Sequence, residues 1–438
     1  MIQDSLFDLI VLKFKLRTSK NKAIAFGLYL GEIQFLKNII SAWIDQMQNY
    51  PIVIAHEREE TYEEFMQVFP SLKNVYHIYL CRLNQNIFSR KEIKLYMSSD
   101  ANGLQNIYSI YSFHGQPSKG LTFSRGKLDA YDALFLYGPL QKEALEHFVK
   151  TELGNNKPDY LSLYEIGYTK SDDVINGCWK RNEVLKSLEL PVNNSTVLYA
   201  PAFNKNASLR NHGLEIIKEL CSNINFNVIA KLPVDCLLPT ENEYPNGGVN
   251  WFIELSKFEK KYVNFRLYKK NQIDPVLEAA DVLVTCVSSV SFEFLALNKP
   301  VVFLNTPKFY SHYLKELLPN TNMDGWEELS FINGGKEFGI VVDTPQQLEE
   351  AIYKSLHKQE KQSNLLERLL YNPGKATDAA IEQLKKISMK NVITSRPPMP
   401  TYFSFERLYK QVIPLRTKSM IGFLFKEPNK GLKKPTNN

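Results

Sequence analysis

A histidine, two glycines and a lysine stand directly after an apolar stretch in the first third of the chain. The segment reads HGQPSKG over residues 114–120, and the apolar run covers residues 107–113. An imidazole titrates near neutral pH, so His114 could take the proton of a hydroxyl nucleophile. Lys119 could neutralise the charge of a phosphate, and the glycines let a backbone approach a ligand closely. The same pattern is also typical of an ordinary glycine and proline turn with an incidental histidine.

A serine pair marks a second segment that could carry chemistry. Residues 281–305 read DVLVTCVSSVSFEFLALNKPVVFLN, which predicts a strand, a turn, a helix and a strand in that order. The hydroxyls of Ser288 and Ser289, with the backbone N–H groups beside them, could bind a nucleotide pyrophosphate. Alternatively, the serines only cap the helix. Glu293 could pair with ribose hydroxyls, or could only favour the first turn of its helix.

The elements that must position these residues alternate between apolar runs and helix-like segments. In the first part, strands are predicted over residues 22–29, 51–55, 74–80, 107–113 and 131–137, with helices over 32–47 and 140–149. In the second part, strands are predicted over 197–200, 226–230, 263–267, 282–284, 301–304 and 339–342, with helices over 213–220, 275–280 and 344–357. This alternation predicts an α/β fold with largely parallel sheets. Pro191 and two asparagines interrupt the pattern, which predicts a domain boundary there.

Composition places the chain among ordinary globular proteins. It has 438 residues, enough for two or three domains, of which 44% are hydrophobic and 23% charged. Apolar runs fall short of the roughly 20 residues that cross a bilayer. Asp4 and Asp8 interrupt the first apolar stretch, so it does not resemble a signal peptide, and a cytoplasmic location is expected. The five cysteines show no metal-binding spacing and suit reduced, structural thiols.

Positive charge is concentrated at the carboxyl-terminal end. From Lys385 onward the chain has twelve Lys and Arg against two Glu, a net charge of +10, although the net charge of the whole chain is only +6. Aromatic side chains are interleaved with these cations between residues 402 and 425. Such a tail suits an anionic membrane surface, and the alternative is a solvated, disordered tail.

Several familiar signatures are missing from the sequence. It has neither a GxxxxGK[ST] phosphate loop nor a GxGxxG turn after the first strand. HExxH and CxxC metal patterns are missing too, as is the DxD triplet of metal-dependent sugar transferases. The sequence therefore implies no metal and no cofactor, and no nucleic-acid partner is expected.

Taken in order, five segments resemble the CDP-glycerol glycerophosphotransferase family, the teichoic-acid primases and polymerases. The segments are YSFHGQPSKG (111–120), EIGYTKSDD (165–173), LYAPAF (198–203), AADVLVTCVSSVSFEFLALNKPVVFLN (279–305) and FGIVVDTPQQLEEAI (338–352). The resemblance implies a GT-B-like fold, in which two Rossmann-type domains face a central cleft. It implies an acceptor-side α/β domain over residues 1–190, a nucleotide-donor α/β domain over 191–390, and the basic aromatic tail over 391–438.

The resemblance also implies a reaction. A polyol phosphate of the glycerol phosphate type would pass from a CDP-activated donor to a hydroxyl of a cell-surface polymer or lipid-linked acceptor, and CMP would leave. His114 matches the family's candidate base, and Lys119 matches the lysine of the same segment. Ser288 and Ser289 match the serine pair that binds the donor phosphates, and Glu293 stands where the family has an acidic residue. Lipid-linked acceptors imply a cytoplasmic enzyme that is peripheral at the inner face of the plasma membrane.

Departures from the family pattern leave the donor open. The chain has Ala230-Lys231-Leu232-Pro233 where the family usually has an arginine and a His-Pro pair, so Lys231 would supply the charge there. Cys286 and Val287 replace the usual Asp-Tyr before the serines. Two alternatives follow: a GT-B glycosyltransferase that uses a nucleotide sugar to build a surface or capsule polysaccharide, and a non-catalytic GT-B-like binding protein.

Overall fold

Two parallel β-sheets, one in each part of the chain, organise the molecule. The computed structural model describes residues 2–84, 87–99, 103–237, 247–319, 321–357, 364–390 and 392–396. The first sheet has seven strands in the order β3-β2-β1-β4-β5-β6-β7, and the second has six in the order β10-β9-β8-β11-β12-β13. This arrangement confirms the α/β fold that the sequence predicts.

The first sheet and its helices precede residue 190. Its strands are β1 (Ala23–Leu28), β2 (Ile52–His56), β3 (Val75–Tyr79), β4 (Ile93–Ser98), β5 (Tyr108–Tyr111), β6 (Ala133–Leu136) and β7 (Ser162–Glu165). The helices are α1 (Leu6–Thr18), α2 (Ile33–Gln46), α3 (Glu59–Val68), α4 (Leu80–Asn84), α5 (Arg125–Ala130), α6 (Pro139–Glu152), α7 (Asp172–Ile175) and α8 (Arg181–Ser187).

The second sheet and the remaining helices follow. The strands are β8 (Ser195–Tyr199), β9 (Phe226–Ala230), β10 (Phe265–Leu267), β11 (Val282–Thr285), β12 (Val301–Leu304) and β13 (Ile340–Val342). The helices are α9 (Ser208–Ser222), α10 (Val234–Leu237), α11 (Trp251–Lys261), α12 (Asp274–Ala279), α13 (Val290–Leu295), α14 (Lys315–Leu317), α15 (Ser330–Asn333), α16 (Leu348–His357), α17 (Leu365–Leu369) and α18 (Ala376–Met389). A π-helical turn, Phe309–Leu314, precedes α14.

Burial on both faces explains why the strands are nearly continuous apolar runs. All six residues of β1 are buried, as are all four residues of β6, β11 and β12. Helices cover both faces of such a sheet, which leaves little room for the alternating polar residues of a half-exposed strand. Because the strands of both sheets pair in parallel, the carboxyl ends of the strands in each sheet share one edge. Loops at that edge are where ligands bind in open α/β sheets.

The last helix returns to the first half of the molecule. Residues of α18, including Ile381 and Leu384, join the apolar cluster formed by α2 and the first sheet. The carboxylate of Asp172 accepts hydrogen bonds from the backbone N–H groups of Ala376 and Thr377 (3.2 and 2.7 Å) and so caps the amino-terminal turn of α18. The predicted second domain, residues 191–390, includes α18. No local sequence signal indicates that α18 instead packs against α2 of the first half.

Arg396, at the end of the described residues, also contacts the first half of the molecule. Its guanidinium forms a buried ion pair with Asp132 (3.0 Å) and donates to the backbone carbonyls of Ala130 and Leu104. Most of the predicted basic tail, residues 397–438, lies outside the described residues. Within the described ranges, no helix combines the length and the apolar character that crossing a membrane requires.

Candidate active site

His114 begins a turn at the carboxyl end of β5. Phe113, just before it, has a φ of 61°, a left-handed conformation that is uncommon for a bulky residue. The Phe113 side chain is buried against Tyr111, with 4.2 Å between the ring centroids, and this packing holds the unusual backbone in place. The chain therefore reverses sharply here, so the side chain of His114 is exposed while Phe113 is in the core.

A backbone carbonyl orients the imidazole of His114. Its Nδ1 lies 2.9 Å from the carbonyl oxygen of Ser99, which follows β4 at the same edge of the sheet. A carbonyl oxygen can only accept, so Nδ1 carries the proton of the neutral ring and Nε2 holds the lone pair. The ring of Phe35 stands edge-on to the imidazole, with 6.3 Å between the centroids. This geometry suits a general base that acts through Nε2.

The turn of His114 contacts the serine turn of the second sheet. A Cβ atom placed on Gly115 would lie only 2.9 Å from Oγ of Ser289. Gly115 also has a φ of 149°, a conformation that other residues rarely adopt. Two segments that are far apart in the sequence thus meet where the two sheets face each other. The position needs a glycine for both reasons.

The serine pair lies between β11 and α13. Both side chains are half-buried, and Ser289 makes no side-chain hydrogen bond that caps α13. Instead, the hydroxyl of Ser291 donates to the backbone carbonyls of Ser288 and Gly334 (2.7 and 2.6 Å) and fixes the turn from behind. The hydroxyls of Ser288 and Ser289 are not used for capping, so they can take part in binding a ligand.

Lys119 extends from the His114 turn towards the second half. Its ammonium lies 5.7 Å from the ring centroid of Phe203, which follows β8. Burial lowers the pKa of Lys119, while the thiols of Cys286 and Cys236 oppose this effect. Within the described ranges, no carboxylate forms an ion pair with Lys119. A half-buried cation without an ion-pair partner favours a bound anion.

Lys231 is a second such cation, at the carboxyl end of β9. Its side chain is 7% exposed, and its Nζ donates to the carbonyl of Leu232 (2.8 Å). Burial, together with the positive charge of Lys170, lowers the pKa of Lys231 to about 8. Lys119 lies beside Phe203, which follows β8, and Lys231 follows the neighbouring strand β9, so both cations lie at the carboxyl edge of the second sheet. Together they give this part of the cleft a positive potential.

Glu293 is held in a buried charge network that spans the two halves. Its Oε2 accepts from Nζ of Lys170, and its Oε1 accepts from the hydroxyl of Tyr168 (3.3 Å). Asp274 stands 3.6 Å from the same Nζ. Burial alone would lower the pKa of Lys170, but the two carboxylates outweigh it and raise the pKa. With these partners and an exposure of only 8%, the Glu293 carboxylate is oriented by contacts within the protein.

Sequence reasoning missed some members of the site. Lys170 and Tyr168 lie in the segment over 165–173 that resembles the family, but neither was given a role, and Asp274 was not singled out. Lys336 was missed as well, although the Gly-Gly-Lys run that contains it is a usable signal. Its Nζ donates to Oδ1 of Asn305 (3.0 Å), and burial lowers its pKa.

An apolar cavity of about 320 Å³ adjoins the other side of the His114 turn. Pro117 and Gly120 of that turn line it, together with Phe148 of α6 and Trp326 and Phe331 of the second half. None of His114, Ser288 and Ser289 lines this cavity. It is therefore separate from the polar residues described above. The described residues contain no group of three or more His, Cys, Asp or Glu side chains placed to hold a metal ion.

Comparison with protein families gives one match. Residues 247–320 match the model of the family described as CDP-Glycerol:Poly(glycerophosphate) glycerophosphotransferase. The matched stretch begins before α11 and includes Asp274, the serine pair and Glu293, but not His114. It confirms the family resemblance for this part of the chain. No curated protein matches the chain significantly.

Comparison with solved structures confirms the GT-B-like fold. The wall teichoic acid polymerase TagF superposes with a TM-score of 0.56 at 17% identity, over 87% of this chain and 95% of that chain. A point variant of TagF gives a TM-score of 0.59 at 16% identity, over 87% of this chain and 92% of that chain. A putative UDP-N-acetylglucosamine 2-epimerase from Listeria monocytogenes gives a TM-score of 0.54 at 11% identity, over 86% of this chain and 98% of that chain. At such identities, the likeness is one of fold.

Proposed function

We propose that this chain transfers a polyol phosphate of the glycerol phosphate type from a CDP-activated donor to a hydroxyl of a cell-surface polymer or lipid-linked acceptor, releasing CMP. The observation that carries the proposal is the contact between Gly115 and Ser289, which joins the turn of His114, the proposed base, to the serine turn of the second sheet. The family match over residues 247–320 supports the same reaction class. A crystal of one TagF variant was soaked with CDPG.

The residues of the site can divide the reaction between them. The acceptor oxygen attacks the phosphorus that bears the polyol, and its proton passes to Nε2 of His114. The bond from that phosphorus to the bridging oxygen breaks, and CMP leaves with the electron pair. Lys119 and Lys231 neutralise the donor phosphates, and the hydroxyls of Ser288 and Ser289 donate to them. Phosphoryl transfer depends mainly on such positioning and charge.

Glu293 supports the donor site in this proposal by holding Lys170 beside it. The buried ion pair fixes the start of α13, directly after the serine turn. The acceptor's lipid anchor and the basic tail would keep the cytoplasmic enzyme at the inner face of the plasma membrane, as a peripheral protein. Both statements are part of the same proposal.

A donor screen by thermal shift tests the proposal. CDP-glycerol, CDP-ribitol and CMP should stabilise the protein, because a ligand that binds only the folded state at about 100 times its Kd adds about 2.7 kcal/mol. UDP-sugars and GDP-sugars should cause a much smaller shift. The screen should be followed by measuring CMP release from CDP-glycerol with a lipid-linked acceptor.

The Ser288→Ala/Ser289→Ala variant should lose most of the cytidine-dependent shift. The matched control is Ser311→Ala, an exposed serine that hydrogen-bonds within its own turn. A shift with a UDP-sugar or GDP-sugar and none with cytidine ligands would contradict a CDP-activated donor. It would instead favour a nucleotide-sugar transferase.

Donor affinity should fall as the pH rises through the pKa of Lys231, about 8. Lys231 is charged below this pH and neutral above it, so a donor pyrophosphate is bound more tightly at pH 7 than at pH 9. If only the charged form binds, the Kd should rise about ten-fold over this range. Isothermal titration of CDP at several pH values measures the effect.

Lys231→Gln should weaken binding at pH 7 and remove most of this pH dependence. Lys205→Gln is the control, because Lys205 is exposed at the same side of the sheet and pairs with Glu316 (3.4 Å). An unchanged pH profile in Lys231→Gln would show that another group is responsible.

A further inference from the structure

The first helix, α1, has apolar side chains on two opposite faces. Leu9, Leu12 and Leu16 are buried and belong to the apolar cluster on one face of the first sheet. Five other apolar residues point outward, at spacings of one, three or four residues that place them on one face. We call them the outer face of α1: Leu6, Phe7, Ile10, Val11 and Phe14, which are 48–74% exposed.

Basic residues border this outer face. On a helical projection, Lys13 and Lys15 stand at its two sides, and Arg17 lies at its carboxyl-terminal end. The two nearby acidic residues are already engaged within the protein. Asp4 forms an ion pair with Arg82 (2.7 Å), and the carboxylate of Asp8 accepts a hydrogen bond from the hydroxyl of Ser5 (2.5 Å) at the start of the helix. An exposed apolar stripe with cations at its borders is typical of a helix that lies in a membrane interface.

We propose that the outer face of α1 docks on the surface of an anionic lipid bilayer. The apolar side chains would enter the boundary between headgroups and acyl chains, and Lys13, Lys15 and Arg17 would contact anionic headgroups. This docking surface is separate from the predicted basic tail, and it does not depend on the proposed transfer reaction.

A second copy of the chain fits this surface less well. The helix has 13 residues and is therefore about 20 Å long, so a face about 10 Å wide offers about 200 Å². Stable interfaces usually bury about 800 Å² on each partner. A symmetric pairing would also bring the basic borders of two copies together, which is unfavourable. A lipid surface has neither of these difficulties.

The position of α1 would keep the carboxyl edge of the first sheet near the bilayer. Gln3, just before the helix, pairs with Ile78 near the carboxyl end of β3. The amino-terminal end of α1 therefore lies at the same edge of the first sheet as the turn of His114. Docking through Leu6 and Phe7 would place that edge close to the headgroups, where the hydroxyl of a lipid-linked molecule is found.

Vesicle co-sedimentation of the full chain tests this proposal. Vesicles of phosphatidylcholine with about one third phosphatidylglycerol should bind the wild-type protein. The variant Phe7→Ser/Ile10→Ser/Phe14→Ser should bind at least about ten-fold more weakly. The control is Ile224→Ser/Val263→Ser/Met389→Ser, which removes three side chains of similar exposure (74, 84 and 77%) elsewhere and should bind like the wild type.

Removal of positive charge at the border of the outer face supplies a second measurement. Lys13→Gln/Arg17→Gln should weaken binding to the anionic vesicles by about five-fold for each charge and leave binding to phosphatidylcholine alone unchanged. Circular dichroism should show the same fold in every variant, because all substituted side chains of the outer face are exposed.

The proposal is overturned if the wild-type chain does not sediment with anionic vesicles. It is also overturned if the triple variant of α1 sediments as well as the wild type. If that variant instead lowers the molar mass measured by light scattering while vesicle binding is unchanged, the outer face belongs to an interface between two copies.

Discussion

Replacement of His114 by alanine is expected to lower the rate of transfer from CDP-glycerol by about 10²–10⁴-fold, while the Kd of the donor changes little. The reason is that Nε2 of His114 is the group proposed to take the proton of the acceptor hydroxyl, and alanine offers no base. The hydrogen bond from Nδ1 to the carbonyl of Ser99 (2.9 Å) fixes the tautomer that this role requires. Single-turnover measurement of CMP release separates this chemical step from donor binding.

The chain contains a matched control for this experiment. The ring of His357, at the carboxyl end of α16, also has its Nδ1 near a backbone carbonyl, that of Tyr353 at 2.7 Å, but His357 is exposed and contacts no residue of the proposed site. His357→Ala should keep full activity. If His114→Ala keeps more than about a tenth of the wild-type rate, His114 is not the general base.

Replacement of Lys170 by methionine is expected to lower the free energy of unfolding by about 3–5 kcal/mol. Lys170 is only 2% exposed, and its loss would leave Glu293 and Asp274, which are 8% and 0% exposed, without a counter-ion. An unpaired buried carboxylate must either lose its hydration at great cost or take up a proton. Urea unfolding followed by circular dichroism measures the change.

Two further variants show whether charge is the cause. Lys170→Met/Glu293→Gln removes one of the unpaired carboxylates and should recover part of the lost stability. Lys142→Met breaks a partly exposed ion pair with Glu165 (2.9 Å; 42% and 50% exposed) and should cost at most about 1 kcal/mol. Equal effects of Lys170→Met and Lys142→Met would mean that the buried pair contributes no more than a surface pair.

The elements that the sequence predicts well are those whose signal is local. The predicted strand over 131–137 contains β6, and the predicted helix over 32–47 contains α2. A strand buried on both faces needs a continuous apolar run, and a helix buried on one face needs apolar residues at helical spacing, so both patterns are visible in neighbouring residues. The strand β4 was not predicted, although it lies in the middle of the first sheet. Lys94 interrupts its apolar pattern, and its long side chain can reach towards water while its backbone stays in the sheet.

The residues of the candidate site could be proposed from the sequence, but the contacts between them could not be predicted from it. The HGQPSKG and serine segments attract attention because their residue types suit phosphate chemistry. The pairing of Lys170 with Glu293 joins residues that are 123 positions apart, so no periodicity or spacing indicates it. The engagement of Glu293 within the protein likewise depends on how the two sheets face each other, which only the tertiary structure shows.

The return of α18 to the first sheet has a consequence for how the chain is synthesised. The apolar cluster of the first half needs Ile381 and Leu384, which the ribosome makes only after the second half. One apolar cluster of the second half, by contrast, uses only residues between 197 and 352. This cluster of the second half can therefore become buried while the first half still exposes apolar surface. That is the reverse of the usual order, in which the amino-terminal part folds first. A nascent chain of this protein should consequently need chaperone protection longest at the part that was made first.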